Sequence, residues 1–570
     1  MGSLSYRMAI LATASLLAVA SAAARTASSP APAQVGTAFP AVPTSAEPLV
    51  APPLRSRPTE RLPVYTPSFP YGADAPTSAR LAPQAVTTLR DAIVLAYWSN
   101  PRLLAQRAQL RATDNRYPIA RSGYGPQLTI QGAQTYQRDR TEIVSGVFRP
   151  QQGFSTTASL ILNQPLYTFG RLRSAENIAL GQIALGRDSL RLVEAETVLN
   201  AVSSYVAVRR DTLSVEVAEE NLRLLTRQYS DSAERFRVRE ITSSDLQQIE
   251  TRVEFGRAQL LQAQGQLGVS RSQFLQTVGG VPGELADPAP LPIASPTLDQ
   301  AYAYAEANSP VLRAAQSREK ISRAGIDAAR AEQGPRVDLR GTGNYGSVSP
   351  YSNDLRNTSI TGQGVVSLPL IDSGLRRAQL REAKEANDSD WRLIDAALRD
   401  THQAVAGSWN QLTAARASLV HYKQASDAAQ RAYEGALIQE KAGARTTLDV
   451  LDLARDLLSV RTNFIVAEAN EYLARANLLA AMGRLEAPLL VPDIATYDPT
   501  ANFDKVKRSG DIPFLTDVLA PLDGITARDV KTDRPIRDPA GPIVTGAEVP
   551  LTTEVPPRPD VPRDLVPARR

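Results

Sequence analysis

Two long stretches without proline constrain this chain more than any other feature of its sequence. Residues 166–281 and 370–487 contain no proline, although the chain of 570 residues has 41. The prolines concentrate instead at the two ends, in residues 1–87 and 488–570. Because proline breaks the interior of a helix, two blocks of this length predict very long helices between proline-rich ends.

The composition excludes several kinds of functional site. The chain has no cysteine, so it has no disulfide, no thiolate metal site, no cysteine nucleophile and no lipidated cysteine. His402 and His421 are its only histidines, and a partly exposed helical position explains both better than a catalytic triad does. We therefore expect no catalytic residue, metal or cofactor. A net charge of +4 with 21% charged residues is too mixed to indicate nucleic-acid binding.

The amino terminus is typical of a secretory signal peptide at residues 1–24. Arg7 gives it a positive charge, residues 8–20 are apolar but too short to span a membrane, and residues 20–24 suit signal peptidase. No later run reaches the roughly 18 apolar residues of a spanning helix. An exported chain of this kind that crosses a membrane is expected to do so as a β-barrel.

The sequence between the proline-rich ends is duplicated. Matching residues lie 209 positions apart early in each copy and 204 apart later, as in Pro101 and Pro310, Tyr136 and Tyr345, Pro165 and Pro369, and Asp245 and Asp449. A deletion of five residues between positions 346 and 369 explains the change of offset. A register held over this length indicates an internal repeat, which is the strongest signal in the chain.

Each copy has the same predicted order of elements, namely a helical segment, two strands and a long helical hairpin. The first repeat covers 87–283, with strands at about 126–139 and 153–166 and long helices at about 171–279. The second repeat covers 296–485, with strands at about 335–347 and 360–371 and long helices at about 375–483. We expect the flanking segments 25–86 and 486–570 to be largely extended or disordered, with part of the second packing near residues 489–497.

The predicted strands alternate between apolar and polar residues, as strands do in a barrel with lipid outside and a wet lumen. A half-buried hairpin of a soluble protein has the same alternation, so the strands alone leave both possibilities open. The long helices have unusually polar faces for a core, which is also compatible with a generic antiparallel coiled coil. Such a coiled coil would not explain strand pairs at the same place in both copies.

Five strings in this order resemble the TolC family of outer-membrane efflux and secretion ducts. They are NPRL at 100–103, ARSGYGPQL at 120–128, QPLYTFGR at 164–171, VGGVP at 278–282 and AGARTTLDVLD at 442–452. The resemblance implies an α+β membrane protein that forms a homotrimer, in which each chain gives four strands to a 12-stranded β-barrel on an α-helical periplasmic barrel. It also implies a periplasmic adaptor protein and an inner-membrane transporter as partners, and outer-membrane lipid around the barrel.

In this family the periplasmic end of the tunnel is the gate, and the matching turns here are residues 238–245 and 442–452. Asp449 and Asp452 match the family's aperture carboxylates. Residues three positions apart share one face of a helix, so in a trimer they would form two rings of three carboxylates that favour cations. The alternative is a solvated helix face with an aspartate near its amino terminus, where the helix dipole favours anions.

The same match assigns the other tip residues. Arg445 matches a residue that helps to hold the gate closed, and Asp245 marks the region of its expected partner. The residues expected to contact the adaptor are Val238, Arg239, Glu240, Ala442 and Gly443.

Two of the tip residues depart from the family pattern. Arg239 lies where the first tip usually carries glycine, which puts the detailed contact with the adaptor in question. Glu440 stands where some members carry a gate tyrosine, so the closing contact at this position is expected to be absent or replaced.

The function that follows is a passive exit duct in the cell outer membrane with a long periplasmic portion. It would serve a tripartite efflux pump or a type I secretion system and would be gated at its periplasmic end. The alternative is a periplasmic coiled-coil scaffold or adaptor without a membrane barrel. An adaptor should have lipoyl-like and β-barrel segments between its helices, and none is visible.

Overall fold

The computed structural model describes residues 85–292, 297–512 and 515–525, all of which belong to the unit Pro70–Arg570. The predicted signal peptide at 1–24, nearly all of the segment 25–86 and the tail from 526 to 570 lie outside the described residues.

The first repeat begins with three helices, α1 (Leu89–Ser99), α2 (Pro101–Asp114) and α3 (Arg116–Arg121). A short 3-10 helix, Ser122–Tyr124, leads into the antiparallel strands β1 (Gln127–Val144) and β2 (Val147–Tyr167). The chain then runs outward as α4 (Arg171–Arg237) and returns as α5 (Ser243–Val278). Asn100 sets the start of α2, because its side chain accepts from the amide of Arg102 and Pro101 occupies the first helical position.

The second repeat has the same order of elements as the first. It consists of α6 (Leu298–Asn308), α7 (Pro310–Ala331), β3 (Arg336–Ser349), β4 (Ser352–Ser367), α8 (Leu375–Lys441) and α9 (Thr447–Ala481). The outgoing helices α4 and α8 both contain 67 residues, or about 100 Å at 1.5 Å per residue. Their starts also match, since left-handed Gly170 (φ 87°) precedes α4 and left-handed Gly374 (φ 88°) precedes α8.

The first strand pair is longer than predicted. The prediction leaves residues 140–152 outside the strands, whereas β1 and β2 pair up to Val144 and Val147. Residues in this interval lack a regular apolar alternation, which is why the pattern misses them. An antiparallel ladder is made by backbone groups, so pairing continues where the side-chain pattern stops.

The two hairpins form one four-stranded antiparallel sheet in the order β1-β2-β3-β4, so both repeats contribute to it. One row of paired residues across the sheet is apolar or glycine and consists of Ile130, Leu160, Gly343 and Ile360. The next row is polar throughout and consists of Gln131, Ser159, Asn344 and Ser359. Because adjacent residues of a strand point to opposite faces, the sheet has an apolar face and a polar face.

The helices pack into thin layers with several separate apolar clusters. One cluster joins α1, α2, α4 and α9 around Leu103, Val202 and Leu479, and another joins α6, α8 and α9 around Trp409. Such small clusters agree with the polar composition of the long helices. None of the helices in the described part of the chain is both long and apolar enough to cross a membrane.

The segment after the second repeat is more ordered than predicted. It contains three further helices, α10 (Ala487–Leu490), α11 (Ala501–Val506) and α12 (Leu515–Gly524). It lies against the first repeat through a Tyr497 amide bond to the Tyr97 hydroxyl (3.1 Å), an Asn502 bond to Asp114 (2.7 Å) and an ion pair of Asp511 with Arg121 (2.9 Å). The proline-rich composition misses this order, because it arises from contacts with residues about 400 positions away rather than from local periodicity.

Candidate functional site: the tips of the two helical hairpins

The first tip is the turn between α4 and α5. Arg239 has left-handed backbone angles (φ 62°), and its amide donates to the Phe236 carbonyl at 2.9 Å. The Thr242 side chain then caps α5 by accepting from the Asp245 amide, while the Asp245 carboxylate accepts from the Thr242 amide. This reciprocal capping box fixes where the returning helix begins.

The second tip, between α8 and α9, has the same left-handed turn and threonine cap, but with a different residue at the turn and without the reciprocal carboxylate bond. Gly443 takes the left-handed position (φ 73°), and its amide donates to the Glu440 carbonyl at 2.9 Å. Thr446 caps α9 by accepting from the Asp449 amide at 3.2 Å. Glycine takes such angles freely and a side chain does not, so the first tip carries strain at Arg239 that the second tip avoids.

The two hairpins pack together just behind the tips. Leu451 of α9 packs with Leu225 of α4 and with Ile249 and Val253 of α5, and Leu448 packs against this cluster. The apolar side of α9 thus faces the first hairpin. Asp449 and Asp452 are both exposed, so the two predicted aperture carboxylates lie outside that packed cluster.

Asp452 is paired and Asp449 is not. The Asp452 carboxylate lies 2.8 Å from the Arg252 guanidinium of α5, and both side chains are partly exposed. Among the described residues, the Asp449 carboxylate makes no hydrogen bond or ion pair. The sequence gives no sign of Arg252, because its partner lies 200 residues further along the chain.

Asp245, which marks the region predicted to pair with Arg445, forms hydrogen bonds within its own turn instead. The Asp245 carboxylate accepts from the Thr242 hydroxyl at 2.8 Å and from the Thr242 amide at 3.2 Å. Arg445 is exposed and makes no ion pair with the described residues of its own chain. Within one chain, therefore, the structure does not bring Arg445 and Asp245 together.

Glu440 also connects the two hairpins near the tips. It is buried, although it is the second-last residue of α8. Its Oε1 accepts from the Gln228 side chain of α4 at 3.0 Å and from the Thr447 hydroxyl at 2.8 Å, and the Arg235 guanidinium lies 3.8 Å away. The position that carries a gate tyrosine in some relatives is thus occupied by a carboxylate with its own partners.

Glu440 also affects the pKa of a neighbouring side chain, Tyr433. Burial raises the pKa of the Tyr433 hydroxyl, and the nearby carboxylates of Glu440 and Glu220 raise it further. Sequence analysis singles out Glu440 but misses Gln228 and Arg235. Neither has a local signal, since each lies on a helix of polar composition more than 200 residues away.

The tips also expose apolar side chains. Val238 at the first tip is 73% exposed, and Ile438 near the second is 70% exposed. Both side chains are free to be covered by a neighbouring protein at the tips.

His402, one of the two histidines, packs against an aromatic ring and an acidic side chain. His402 stacks on the Tyr302 ring, with 4.7 Å between ring centroids, and its Nε2 lies 2.6 Å from Glu306. Residues 85–292, 297–512 and 515–525 contain no group of three acidic or histidine residues placed to hold a metal ion.

The family model described as "Outer membrane efflux protein" matches the chain twice, at residues 92–280 and 301–484, which is one match in each repeat. The chain belongs to this family. It is 30% identical over 426 residues to the outer membrane efflux protein BepC of Brucella suis biovar 1 (strain 1330), covering 74% of this chain and 90% of that protein. It is 26% identical to the outer membrane protein TolC of Escherichia coli (strain K12), covering 71% and 84% of the two chains.

The fold agrees with that membership. A crystal structure of a membrane protein from Pseudomonas aeruginosa superimposes with a TM-score of 0.60 at 21% identity and covers 69% of this chain and 90% of that one. The chain is therefore an outer membrane efflux protein, located in the cell outer membrane with a long periplasmic portion. It is an exit duct of the kind that serves efflux pumps and type I secretion systems.

Proposed function

We propose that three copies of the chain form one passive duct, with a 12-stranded barrel in the outer membrane and a helical barrel in the periplasm. The observation that carries this proposal is the open four-stranded sheet. Within the described part of the chain, its outer strands β1 and β4 each have one unpaired edge, and four strands are too few to close a barrel. Strand edges of this length require partners, and copies of the same chain supply them by joining β4 to β1.

The two faces of the sheet support a position in a membrane. Ile130 and Ile360, on opposite edges of the apolar face, are 78% and 86% exposed in the single chain. A barrel that turns this face outward places it in lipid and turns the polar row of Gln131 and Ser359 toward a wet lumen. A soluble scaffold would leave the same apolar face in water, which argues against that alternative.

The exposed carboxylates of α9 form the selective part of the proposed gate. In a threefold assembly Asp449 and Asp452 would give two rings of three carboxylates, and a narrow bore lined in this way favours cations. Arg252 lies against one ring and reduces its charge. Packing of Leu448 and Leu451 on the first hairpin fixes the rotation of α9 and leaves both carboxylates exposed.

Contacts between neighbouring protomers would complete the closed state. Arg445 has no ion-pair partner among the described residues of its own chain and is exposed at the tip, so it is available to the first hairpin of a neighbour, near Asp245. Glu440 supplies a second restraint inside each protomer through Gln228 and Thr447. Opening would require both restraints to yield.

The outer surface of the tips is the proposed contact for a periplasmic adaptor. It comprises Val238, Arg239, Glu240, Ala442 and Gly443, all of which are exposed. The adaptor would connect the duct to an inner-membrane transporter that supplies the energy. The duct itself is proposed to do no chemistry, and its transported substrate follows from the transporter.

Extraction and sizing test the assembly. The chain is expressed with its own amino terminus, outer membranes are isolated and the protein is extracted with detergent. We expect a particle of three chains, with a long helical portion visible by electron microscopy. A water-soluble monomer would contradict the duct and support the scaffold alternative.

A further inference from the structure

The two strand-to-helix junctions of the chain have the same backbone but different carboxylates. In the first repeat Phe169 and Gly170 have φ angles of 57° and 87°, and in the second Ser373 and Gly374 have 51° and 88°. Two successive left-handed residues are rare, and one of each pair is not glycine. Such a turn needs hydrogen bonds that hold it in place.

The second repeat supplies these bonds from within the turn itself. Asp372 accepts from the Gly374 amide at 3.0 Å and from the Arg376 amide at 3.1 Å. These amides belong to the start of α8, where free N–H groups and the helix dipole favour a negative charge. The corresponding position in the first repeat, 204 residues earlier, is Thr168, which has no carboxylate.

In the first repeat the missing carboxylate comes from the other end of the chain. Asp523 of α12 accepts from the Thr168 amide at 2.7 Å, from the Gly170 amide at 3.1 Å and from the Thr168 hydroxyl at 2.9 Å. The Thr168 hydroxyl oxygen in turn accepts from the Leu172 amide at 3.2 Å. Thr168 and Asp523 together thus satisfy the donors that Asp372 satisfies alone in the second repeat.

The helix that carries Asp523 is anchored to this junction by apolar packing. Leu519 of α12 packs with Tyr124 and with Leu172, the second residue of α4. The Asp523 residue is only 1% exposed. A buried carboxylate is costly unless hydrogen-bonded, so these bonds to the start of α4 are what make its burial favourable.

We propose that Asp523 is a positioning residue, by which the carboxy-terminal segment fixes the direction in which α4 leaves the sheet. A helix of about 100 Å acts as a long lever, because a tilt of one degree at its start displaces its far end by about 1.7 Å. The far end of α4 is the first tip. The carboxy-terminal segment thus helps to position the first tip of the duct.

Hydrogen exchange at the junction tests the contact directly in the detergent-extracted full chain. The Arg173 amide also donates to Asp523, at 3.4 Å. In Asp523→Ala, the amides of Thr168, Gly170 and Arg173 are expected to exchange at least about tenfold faster, because they lose charge-assisted acceptors. Asp517→Ala is the matched control, since Asp517 lies on the same helix but is exposed. Equal exchange in Asp523→Ala and Asp517→Ala would overturn the proposal.

A rescue separates positioning from general stability. Thr168→Asp gives the first repeat the residue that the second already uses, so combined with Asp523→Ala it is expected to restore slow exchange and a native yield of assembled protein. Exchange as fast as in Asp523→Ala alone would overturn the proposal. If Asp523→Ala does not accumulate, Asp523→Asn, which keeps one acceptor oxygen, is expected to show intermediate exchange, and wild-type exchange in that variant would count against the proposal.

Discussion

Asp452 on α9 and Arg252 on α5 form an ion pair of 2.8 Å that links the proposed gate carboxylates to the first helical hairpin. The pair halves the number of unpaired carboxylates that each chain presents there. We therefore expect Arg252→Ala to strengthen the block of single-channel current by multivalent cations. Block in planar bilayers measures this, and a weaker block than in wild type would show that Arg252 does not screen the gate.

Removing the carboxylates should have the opposite effect. A unit charge at contact distance is worth about 1 kcal/mol in water, so Asp449→Asn with Asp452→Asn is expected to weaken multivalent-cation block by at least about tenfold. Asp299→Asn, an exposed carboxylate near the start of α6, serves as the control and should leave the block unchanged. Unchanged block in the double variant would remove both residues from the gate.

Glu440 should restrain the tips. Glu440→Ala leaves the partly buried Gln228 and Thr447 donors without their acceptor, at a cost of about 1 kcal/mol because water can still reach them. We expect a larger closed-state conductance, with Glu440→Gln intermediate because an amide oxygen still accepts. Glu434→Ala on the same helix is exposed and should behave as wild type. A closed-state conductance of Glu440→Ala equal to that of Glu434→Ala would contradict this role.

Replacing Arg239 with glycine should relieve the backbone strain of the first tip. Arg239→Gly is expected to stabilise the first tip by about 1 kcal/mol, since the left-handed conformation no longer opposes a side chain. Gly443→Ala should destabilise the second tip by a similar amount. Hydrogen exchange of the tip amides measures both changes, and faster exchange in Arg239→Gly would show that the Arg239 side chain contributes more than its backbone strain costs.

Titration of the Glu194 carboxyl should make the stability of the folded chain decrease as the pH rises. Burial raises the pKa of the Glu194 carboxyl, and the nearby Arg107 cation and Tyr97 hydroxyl offset only part of this. The folded state then binds more protons than the unfolded state, so the contribution is most favourable below about pH 4.3 and is lost as the pH rises through the folded pKa.

Comparison with a neutral side chain isolates that titration. The unfolding midpoint of wild type relative to Glu194→Gln is expected to fall as the pH rises from about 4 upward. Glu196→Gln, an exposed neighbour, should show no such trend. A midpoint difference that rises with pH would mean that Arg107, 3.7 Å away, dominates the carboxyl.

Features with a local pattern were the ones that the sequence could predict. Missing proline and a steady repeat offset predict α4 and α8, and apolar alternation predicts the strands. Contacts between distant helices leave no such pattern. Glu440 and Gln228 are 212 residues apart, and Asp523 and Thr168 are 355 apart, so the sequence around a single polar residue gives no sign of its partner.

The carboxy-terminal segment is a second case in which the sequence pattern does not reveal long-range contacts. Its proline content predicts disorder because composition describes what a segment can do alone. The order observed up to residue 525 depends on the surface of the first repeat, through pairs such as Arg121 with Asp511. Tertiary contacts of this kind order a segment whose composition alone predicts disorder. They exist only when the first repeat is folded, so the sequence of the segment cannot reveal them.

Closure of the sheet between copies is the central claim, and disulfide crosslinking tests it most directly because the chain has no cysteine of its own. Thr129→Cys on β1 is combined in turn with cysteine at the odd-numbered positions of β4 from Asn357 to Ser367, which share the polar face. Leu160→Cys with Gly343→Cys, which are paired within one chain, is the positive control for oxidation. We predict that at least one β1–β4 combination gives covalent dimers and trimers and nothing larger. Efficient oxidation of the control with only monomers in every β1–β4 combination, or a ladder that continues beyond three chains, would contradict the account.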